Sequence, residues 1–170
     1  GRETLLTPHE GPGSFDDGTF SPDGRTIYLG SNKDRDLVAL GRIRLAGNDA
    51  PGPIEVIASR DDAELAEFTL SDDGSLAVVV WNVAGRSQVD LLDLATGMTT
   101  PIAPLPAEIV FGVTLSKDGR LAAMTSAGAA SPADIFIYDR SDGRFTRLTE
   151  SPHAGVDLAS MVRPELVRFP

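Results

Sequence analysis

The string SPDG at Ser21–Gly24 returns as SDDG at Ser71–Gly74 and as SKDG at Ser116–Gly119, at spacings of 50 and 45 residues. Each copy stands between two short apolar runs: Phe20 and Ile27–Leu29, Phe68–Leu70 and Leu76–Val80, Val113–Leu115 and Leu121–Met124. A period near 45 residues with about four strand-like runs per unit is the pattern of a β-propeller blade. The repeat therefore predicts an all-β chain. It forms a partial propeller of about three complete four-stranded antiparallel blades plus flanking strands.

The units divide as 13–60, 61–105 and 106–155. In the first, the strands are expected at Phe15–Phe20, Thr26–Gly30, Leu37–Leu45 and Ile54–Ala58, with the charged loop SNKDRD (Ser31–Asp36) and the turn GNDAPG (Gly47–Gly52) between them. In the second they fall at Glu64–Leu70, Leu76–Trp81, Val89–Leu94 and Met98–Ile102, with a turn at Ala95–Gly97. Asp61–Phe68 also admits a reading as one or two helical turns. The third unit has Ile109–Leu115, Leu121–Thr125, Asp134–Asp139 and Phe145–Leu148. The stretch SAGAASPAD reads as a variable loop and Ser141–Gly143 as a turn. Ile109, Phe111, Val113 and Leu115 alternate strictly, which places them on one face. AVVV at Ala77–Val80 suits a strand buried on both faces. Residues 1–12 are expected to hold the last strand of a preceding blade (Arg2–Thr7) and a link. Residues 156–170 read as a new inner strand begun at Val156–Met161 and then abandoned at VRPE. Pro164 cannot donate to a ladder and keeps Arg163 extended.

The repeated turn has a local cause. Asp23, Asp73 and Asp118 can accept from nearby amides, and Gly24, Gly74 and Gly119 take a positive φ without a Cβ clash. Ser21, Ser71 and Ser116 can tie their hydroxyls to the turn backbone. These nine residues are assigned as structural turns. Calcium binding is the rival reading, but a cation site needs several converging oxygens and an Asp-Gly pair supplies one or two. With 25 Asp+Glu against 15 Lys+Arg the net charge is -10, which repels both a phosphate backbone and an anionic membrane. Neither nucleic acid nor membrane is expected as a partner. The chain has no cysteine, so disulfides and thiolate metal sites are excluded. No metal or other cofactor is expected.

The sequence carries none of the common catalytic signatures. There is no G-x-S-x-G nucleophile elbow, no H-E-x-x-H and no phosphate loop. Ser14 and Ser151 with His9 and His153 are conceivable nucleophile and base pairs. The histidines instead recur with the blade, since LTPHEG and LTESPHAG lie 144 residues apart, three repeats of 48. No catalytic residue is assigned. Asp16, Glu64, Glu67, Glu108 and Asp157 lie on inner strands or their flanks, as candidate substrate-facing carboxylates or as solvated surface. Trp81 is read as packing between blades. Arg140, Arg144 and Arg147 are read as solvated or paired with Asp139 and Asp142.

The FSPDG…LT grammar, with the exit PELVRFP at Pro164–Pro170, resembles the propeller domain of the prolyl-oligopeptidase group of serine peptidases, in its dipeptidyl and acylaminoacyl peptidase-like branch. The FSPDG and LT elements also resemble TolB-type, WD40-like propeller repeats. The peptidase resemblance implies a non-catalytic piece of a peptide-hydrolysing enzyme. It would gate or orient short peptides over an α/β-hydrolase domain of the same parent chain, which carries the catalytic residues, and Arg163 and Arg168 would dock on that domain. It implies a cytoplasmic setting. The alternative is a periplasmic, TolB-like interaction propeller without enzymatic activity. A propeller glycosidase would need two facing carboxylates, and the sequence selects no pair. An arc of three blades is also expected to leave two open faces, through which copies could self-associate.

Overall fold

The computed structural model describes residues 3–46 and 51–167. The tripeptide after each repeated serine closes a tight turn. Gly24, Gly74 and Gly119 lie at φ 67, 68 and 66°, and their amides donate to the carbonyls of Ser21, Ser71 and Ser116 at 2.8–2.9 Å. Asp23, Asp73 and Asp118 accept from the serine hydroxyls at 2.6, 2.7 and 2.6 Å. The same carboxylates accept the amides of Arg25, Ser75 and Arg120. Each serine hydroxyl in turn accepts the amide that opens the next strand, from Thr26, Leu76 and Leu121. At Gly74 there is a second demand on the residue, because a Cβ there would meet Pro22 of the neighbouring turn.

Each turn joins the first two strands of a sheet. The first sheet holds β1 (Phe15–Phe20), β2 (Thr26–Ser31), β3 (Ala39–Leu45) and β4 (Pro51–Ala58). The second holds β5 (Glu64–Leu70), β6 (Leu76–Val83), β7 (Arg86–Asp93) and β8 (Thr99–Ile102). The third holds β9 (Ile109–Leu115), β10 (Leu121–Gly128), β11 (Ser131–Asp139) and β12 (Arg144–Arg147). All three are antiparallel, and spatial order follows chain order in each. This is the architecture that the repeat predicted.

The sheets pack face to face in sequence. Ala77, Val79, Trp81 and Leu92 of the second sheet meet Tyr28 and Leu40 of the first, with Leu65 and Phe68 completing that core. Val78, Val80 and Val89 turn the other way and meet Val110, Val113, Ala122 and Met124 of the third. Strand β6 therefore alternates between two cores and is buried along both faces, as the AVVV run requires. Each such valine, fully removed from water, contributes about 1.5–3 kcal/mol. Backbone bonds stitch the joints: the Leu65 amide donates to the Val38 carbonyl and the Ser87 amide to that of Glu108. Trp81 is 2% exposed and its Nε1 donates to Asp90 at 3.0 Å, which makes it packing between blades.

Several expectations need correction. Val156–Met161 forms no strand; it holds a single 3-10 turn at Leu158–Ser160, capped by Asp157. Without a following hairpin partner, an inner strand has nothing to pair with. Residues 3–7 of the strand expected at Arg2–Thr7 likewise form none, since the third strand it would pair with is not in this chain. Residues 61–63 are not helical, and Glu64–Leu70 is a strand. The SAGAASPAD loop is largely ladder: β10 and β11 run on through it to Gly128 and from Ser131. Small residues there carry no turn signal strong enough to stop a pairing that flanking residues drive. Pro51–Gly52 belongs to β4, an outer edge where proline is tolerated. The rest of the GNDAPG turn, and Arg168, lie outside the described residues.

Candidate functional site

Asp16, Glu64 and Glu67 lie on inner strands, Glu108 directly precedes β9 and Asp157 lies beyond the last sheet. Each inner strand is irregular three to five residues before its repeated serine. The ladder shifts between Asp16 and Thr19, between Leu65 and Glu67, and between the partners of Ala123 and Thr125. Asp17 and Gly112, four residues before their serines, take φ of 56 and 63°. A bulge leaves amides unpaired. In the third sheet they are met by the second: Glu67 accepts the amides of Gly112 at 2.8 Å and Val113 at 2.7 Å, one on each oxygen. Glu67 thus acts as a clamp between blades. Each of its two oxygens holds one amide of the third sheet.

The other four acids differ in setting. Asp16 is exposed on β1 beside the bulge. Glu64, half-buried, opens β5 opposite Asn82 and has no ion-pair partner among the described residues. Asp157 caps the 3-10 turn, accepting the Ala159 amide at 3.0 Å. The Glu108 side chain is only 13% exposed and lies 3.3 Å from Arg163. Its carboxylate fills the space above Gly128, where a Cβ would collide with it. Arg163, expected to reach toward another domain, thus has a partner within this chain. Among the described residues no group of three or more His, Asp or Glu stands together as a metal site.

Neither serine–histidine pairing is assembled. Ser14 donates its hydroxyl to Asn32 and Ser151 to the Ala133 carbonyl. The two histidines instead repeat one local bond, Nδ1 to the carbonyl two residues earlier: Thr7 at 2.9 Å for His9 and Ser151 at 3.2 Å for His153. That shared geometry agrees with the blade register. The arginine reading changes in detail. Asp139 pairs with Arg120 at 3.1 Å, Arg140 donates to the Gly119 carbonyl, and Arg147 reaches Asp134.

Asp134 is the residue that sequence reasoning missed. It is buried on β11 and gathers the Arg147 guanidinium, the Thr149 hydroxyl and the Ser151 amide. Thr149 also accepts the Ile135 amide. The knot fastens the chain leaving β12 back onto β11, which gives the LT element its physical purpose. Burial pushes the Asp134 carboxyl up, but Arg147, Thr149 and the Ser151 amide together hold it below the ordinary carboxylate range. The sequence signal is an aspartate opening an apolar strand, followed 15 residues on by the threonine of the LT element.

No protein-family model matches the chain, and no curated protein matches it. Solved structures do. The chain is similar to a putative TolB from Agrobacterium tumefaciens, with 25% identity and a TM-score of 0.64 over 82% of this chain and 47% of that one. It is similar to prolyl oligopeptidase B from Galerina marginata, with 18% identity and a TM-score of 0.70 over 89% of this chain and 21% of that one. A puromycin-hydrolyzing peptidase of Mycobacterium tuberculosis gives 18% and 0.71 over 90% of this chain and 23% of that one. The chain thus spans less than half of the TolB structure and under a quarter of the peptidases. Its fold resembles the propeller blades of both groups, and it carries no assembled catalytic cluster among the described residues.

Proposed function

We propose that these blades belong to the propeller of a serine peptidase of the prolyl-oligopeptidase group, and that they gate or orient short peptides over an α/β-hydrolase domain. The observation that carries this reading is the exit segment. Beyond the last sheet the described residues form no further strand, and Val162, Leu166 and Val167 are exposed, at 86, 63 and 63%. Its arginine points back onto the blades. An extended segment with apolar side chains outward is suited to packing under a neighbouring domain. The match to peptidase structures over 89 and 90% of the chain, against 82% for the TolB structure, supports the same choice. Asp16 and Glu64 are then the carboxylates best placed to attract a peptide's amino terminus. The 25% identity to the TolB structure favours the second reading, a protein-interaction propeller without activity.

The test is to express the whole reading frame that encodes this chain and treat it with an active-serine phosphonate probe. The expected result is stoichiometric labelling of the whole protein outside residues 1–170 and none of this chain alone. An unlabelled whole protein sinks the peptidase reading and leaves the interaction propeller.

A further inference from the structure

The chain holds five Asp-Gly pairs: Asp17–Gly18, Asp23–Gly24, Asp73–Gly74, Asp118–Gly119 and Asp142–Gly143. Such a pair carries a chemistry of its own. The glycine amide nitrogen directly follows the aspartate carboxyl, and it has no Cβ beside it to obstruct an approach. All five aspartates are exposed, so access to water does not distinguish them. Their bonding does.

Four of the pairs are held on both sides. The carboxylates of Asp23, Asp73 and Asp118 accept a serine hydroxyl at 2.6, 2.7 and 2.6 Å. They also accept the amide two residues on, at 3.0, 3.0 and 3.1 Å. Asp142 accepts the Arg144 amide at 3.0 Å. The amides of Gly24, Gly74, Gly119 and Gly143 donate to the carbonyls of Ser21, Ser71, Ser116 and Asp139 at 2.8–2.9 Å. These bonds fix each carboxylate on a neighbour and keep the proton on each glycine nitrogen. The serine hydroxyls, with the amides, also lower the Asp23, Asp73 and Asp118 carboxyls, Asp73 to about 2. That leaves less of the neutral acid that a nitrogen can attack.

The pair Asp17–Gly18 lies instead in the β1 bulge. Neither residue has a partner in the register with β2, which steps from Asp16 opposite Gly30 to Thr19 opposite Tyr28. Among the described residues the Asp17 carboxylate has no hydrogen-bond or ion-pair partner; the Thr19 hydroxyl donates to its backbone carbonyl. Beyond the chain neighbours, no atom lies within 4 Å of the place a Cβ would take on Gly18. The equivalent positions, four residues before the other two repeated serines, are Glu67 and Gly112. One has a longer side chain and the other has no carboxyl, so the first inner strand stands alone in this respect.

We propose that Asp17 is a site of spontaneous isomerisation to isoaspartate. The Gly18 nitrogen attacks Cγ of Asp17; the N–Cγ bond forms, the Cγ–O bond breaks, and the amide proton leaves with the hydroxyl as water. Water then opens the cyclic imide. Attack at Cγ restores aspartate. Attack at the Asp17 carbonyl carbon breaks its bond to the Gly18 nitrogen and leaves the chain running through Cγ. Water is the only reactant, and mass is unchanged. The product carries one more methylene in the backbone beside Asp16, in a bulge that already accommodates an extra residue. The inference rests on turn and bulge geometry and not on the peptidase reading.

The test is to age the whole protein that contains this chain near neutral pH, folded and in urea, and then to digest it. Electron-transfer fragmentation of the peptides locates isoaspartate at each of the five positions. In the folded protein it should accumulate at Asp17 about tenfold or more faster than at the other four, the scale of breaking one hydrogen bond to a charged group. In urea the five should react at similar rates, because glycine follows each. Equal rates in the folded protein, or an unreactive Asp17, overturn the proposal. So does an Asp17 equally far ahead in urea, which would assign the effect to local sequence. Gly18→Val, for which the structure leaves open space, places a branched side chain beside the nitrogen. It should slow the reaction at Asp17 severalfold and leave the other four unchanged, and an undiminished rate at Asp17 also overturns the proposal. If that variant does not fold, the comparison of the five positions in the unaltered protein decides alone.

Discussion

Replacing Glu67 separates a structural carboxylate from a substrate-binding one. Its two oxygens hold the amides of Gly112 and Val113 at 2.8 and 2.7 Å across the joint between the second and third sheets. Hydrogen bonds to a charged group contribute roughly 1.5–3 kcal/mol each. The Gly112 amide is exposed and water can replace its partner, whereas the Val113 amide is part-buried and would be orphaned. Glu67→Ala should therefore cost about 2–4 kcal/mol of the roughly 5–15 kcal/mol that holds a domain of this kind together. Glu67→Gln keeps one acceptor but turns an amide donor toward a backbone donor, so it should cost nearly as much. Trp81 is the single tryptophan and is 2% exposed, so its fluorescence in urea reports unfolding directly. The midpoint should fall with the slope unchanged, and the thermal midpoint should drop by about 5–10 °C. A loss under about 0.5 kcal/mol for both variants, the level of an ordinary surface change, would refute the clamp and return Glu67 to the substrate-facing set.

Gly128→Ala should cost about 1–3 kcal/mol by expelling the Glu108 carboxylate; adding Glu108→Ala should recover most of it, and a strictly additive double mutant in urea unfolding would argue against the contact. The hydroxyl of Ser126 is buried and has no hydrogen-bond partner. Ser126→Ala should thus raise stability by about 1 kcal/mol, and a measured loss would show an acceptor within reach. The Asp73 carboxyl is held at about 2, first by the Ser71 hydroxyl and then by the Ser75 amide and hydroxyl, against a smaller opposing effect of burial. A folded value below the unfolded one means that this turn's contribution is intact above about pH 4 and is lost as pH falls through about 2. A carbon-detected titration of Asp73 should show that midpoint, and Ser71→Ala should move it toward the ordinary range; a midpoint near 4 in the unaltered chain contradicts the turn geometry. In amide exchange, β6 should be the slowest strand and β1 among the fastest, because β6 is buried almost throughout and β1 almost nowhere. Equal protection of the two would contradict that gradient.

What the sequence disclosed, and what it hid, follows the range of the interactions. The three turns were legible because every bond in them lies within five residues, from Ser21 to Thr26 and likewise in the other copies. Strand β6 was legible because an apolar run with no polar face has few other places to go. The inner strands Glu64–Leu70 and Ile109–Leu115 were also placed to the residue. The hidden features are long-range. Glu67 meets residues 45 and 46 positions away, and nothing near it in sequence marks it off from Asp16 or Glu64. Asp134 draws together partners 13, 15 and 17 residues on. Val156–Met161 departs from the inner strand expected there because a run of apolar residues alone cannot say whether a neighbouring strand exists to pair with.

The two joints between sheets are built differently, and the difference bears on how the inner surface can work. Between the first and second sheets the contact is mainly apolar, centred on Trp81, with one backbone bond from Leu65 to Val38 and a side-chain bond from Arg60, just after β4, to Gln88. Between the second and third the apolar core is joined by polar fasteners at two levels. Ser87 exchanges bonds with Val110 at the strand ends, and Glu67 takes the bulge amides farther along β9. Asp17 stands where Glu67 does, four residues before the repeated serine, but it is one methylene shorter and makes no such bond across the first joint among the described residues. A carboxylate holding two amides adds directional bonds that fix one register, where the first joint relies on packing. The second and third sheets are therefore held by directional bonds as well as by packing. The acids left open to solvent on the inner side, Asp16 and Glu64, flank the joint that lacks the clamp. On the side of the clamped joint, Arg163 pairs with Glu108 and fastens the exit segment to the sheets.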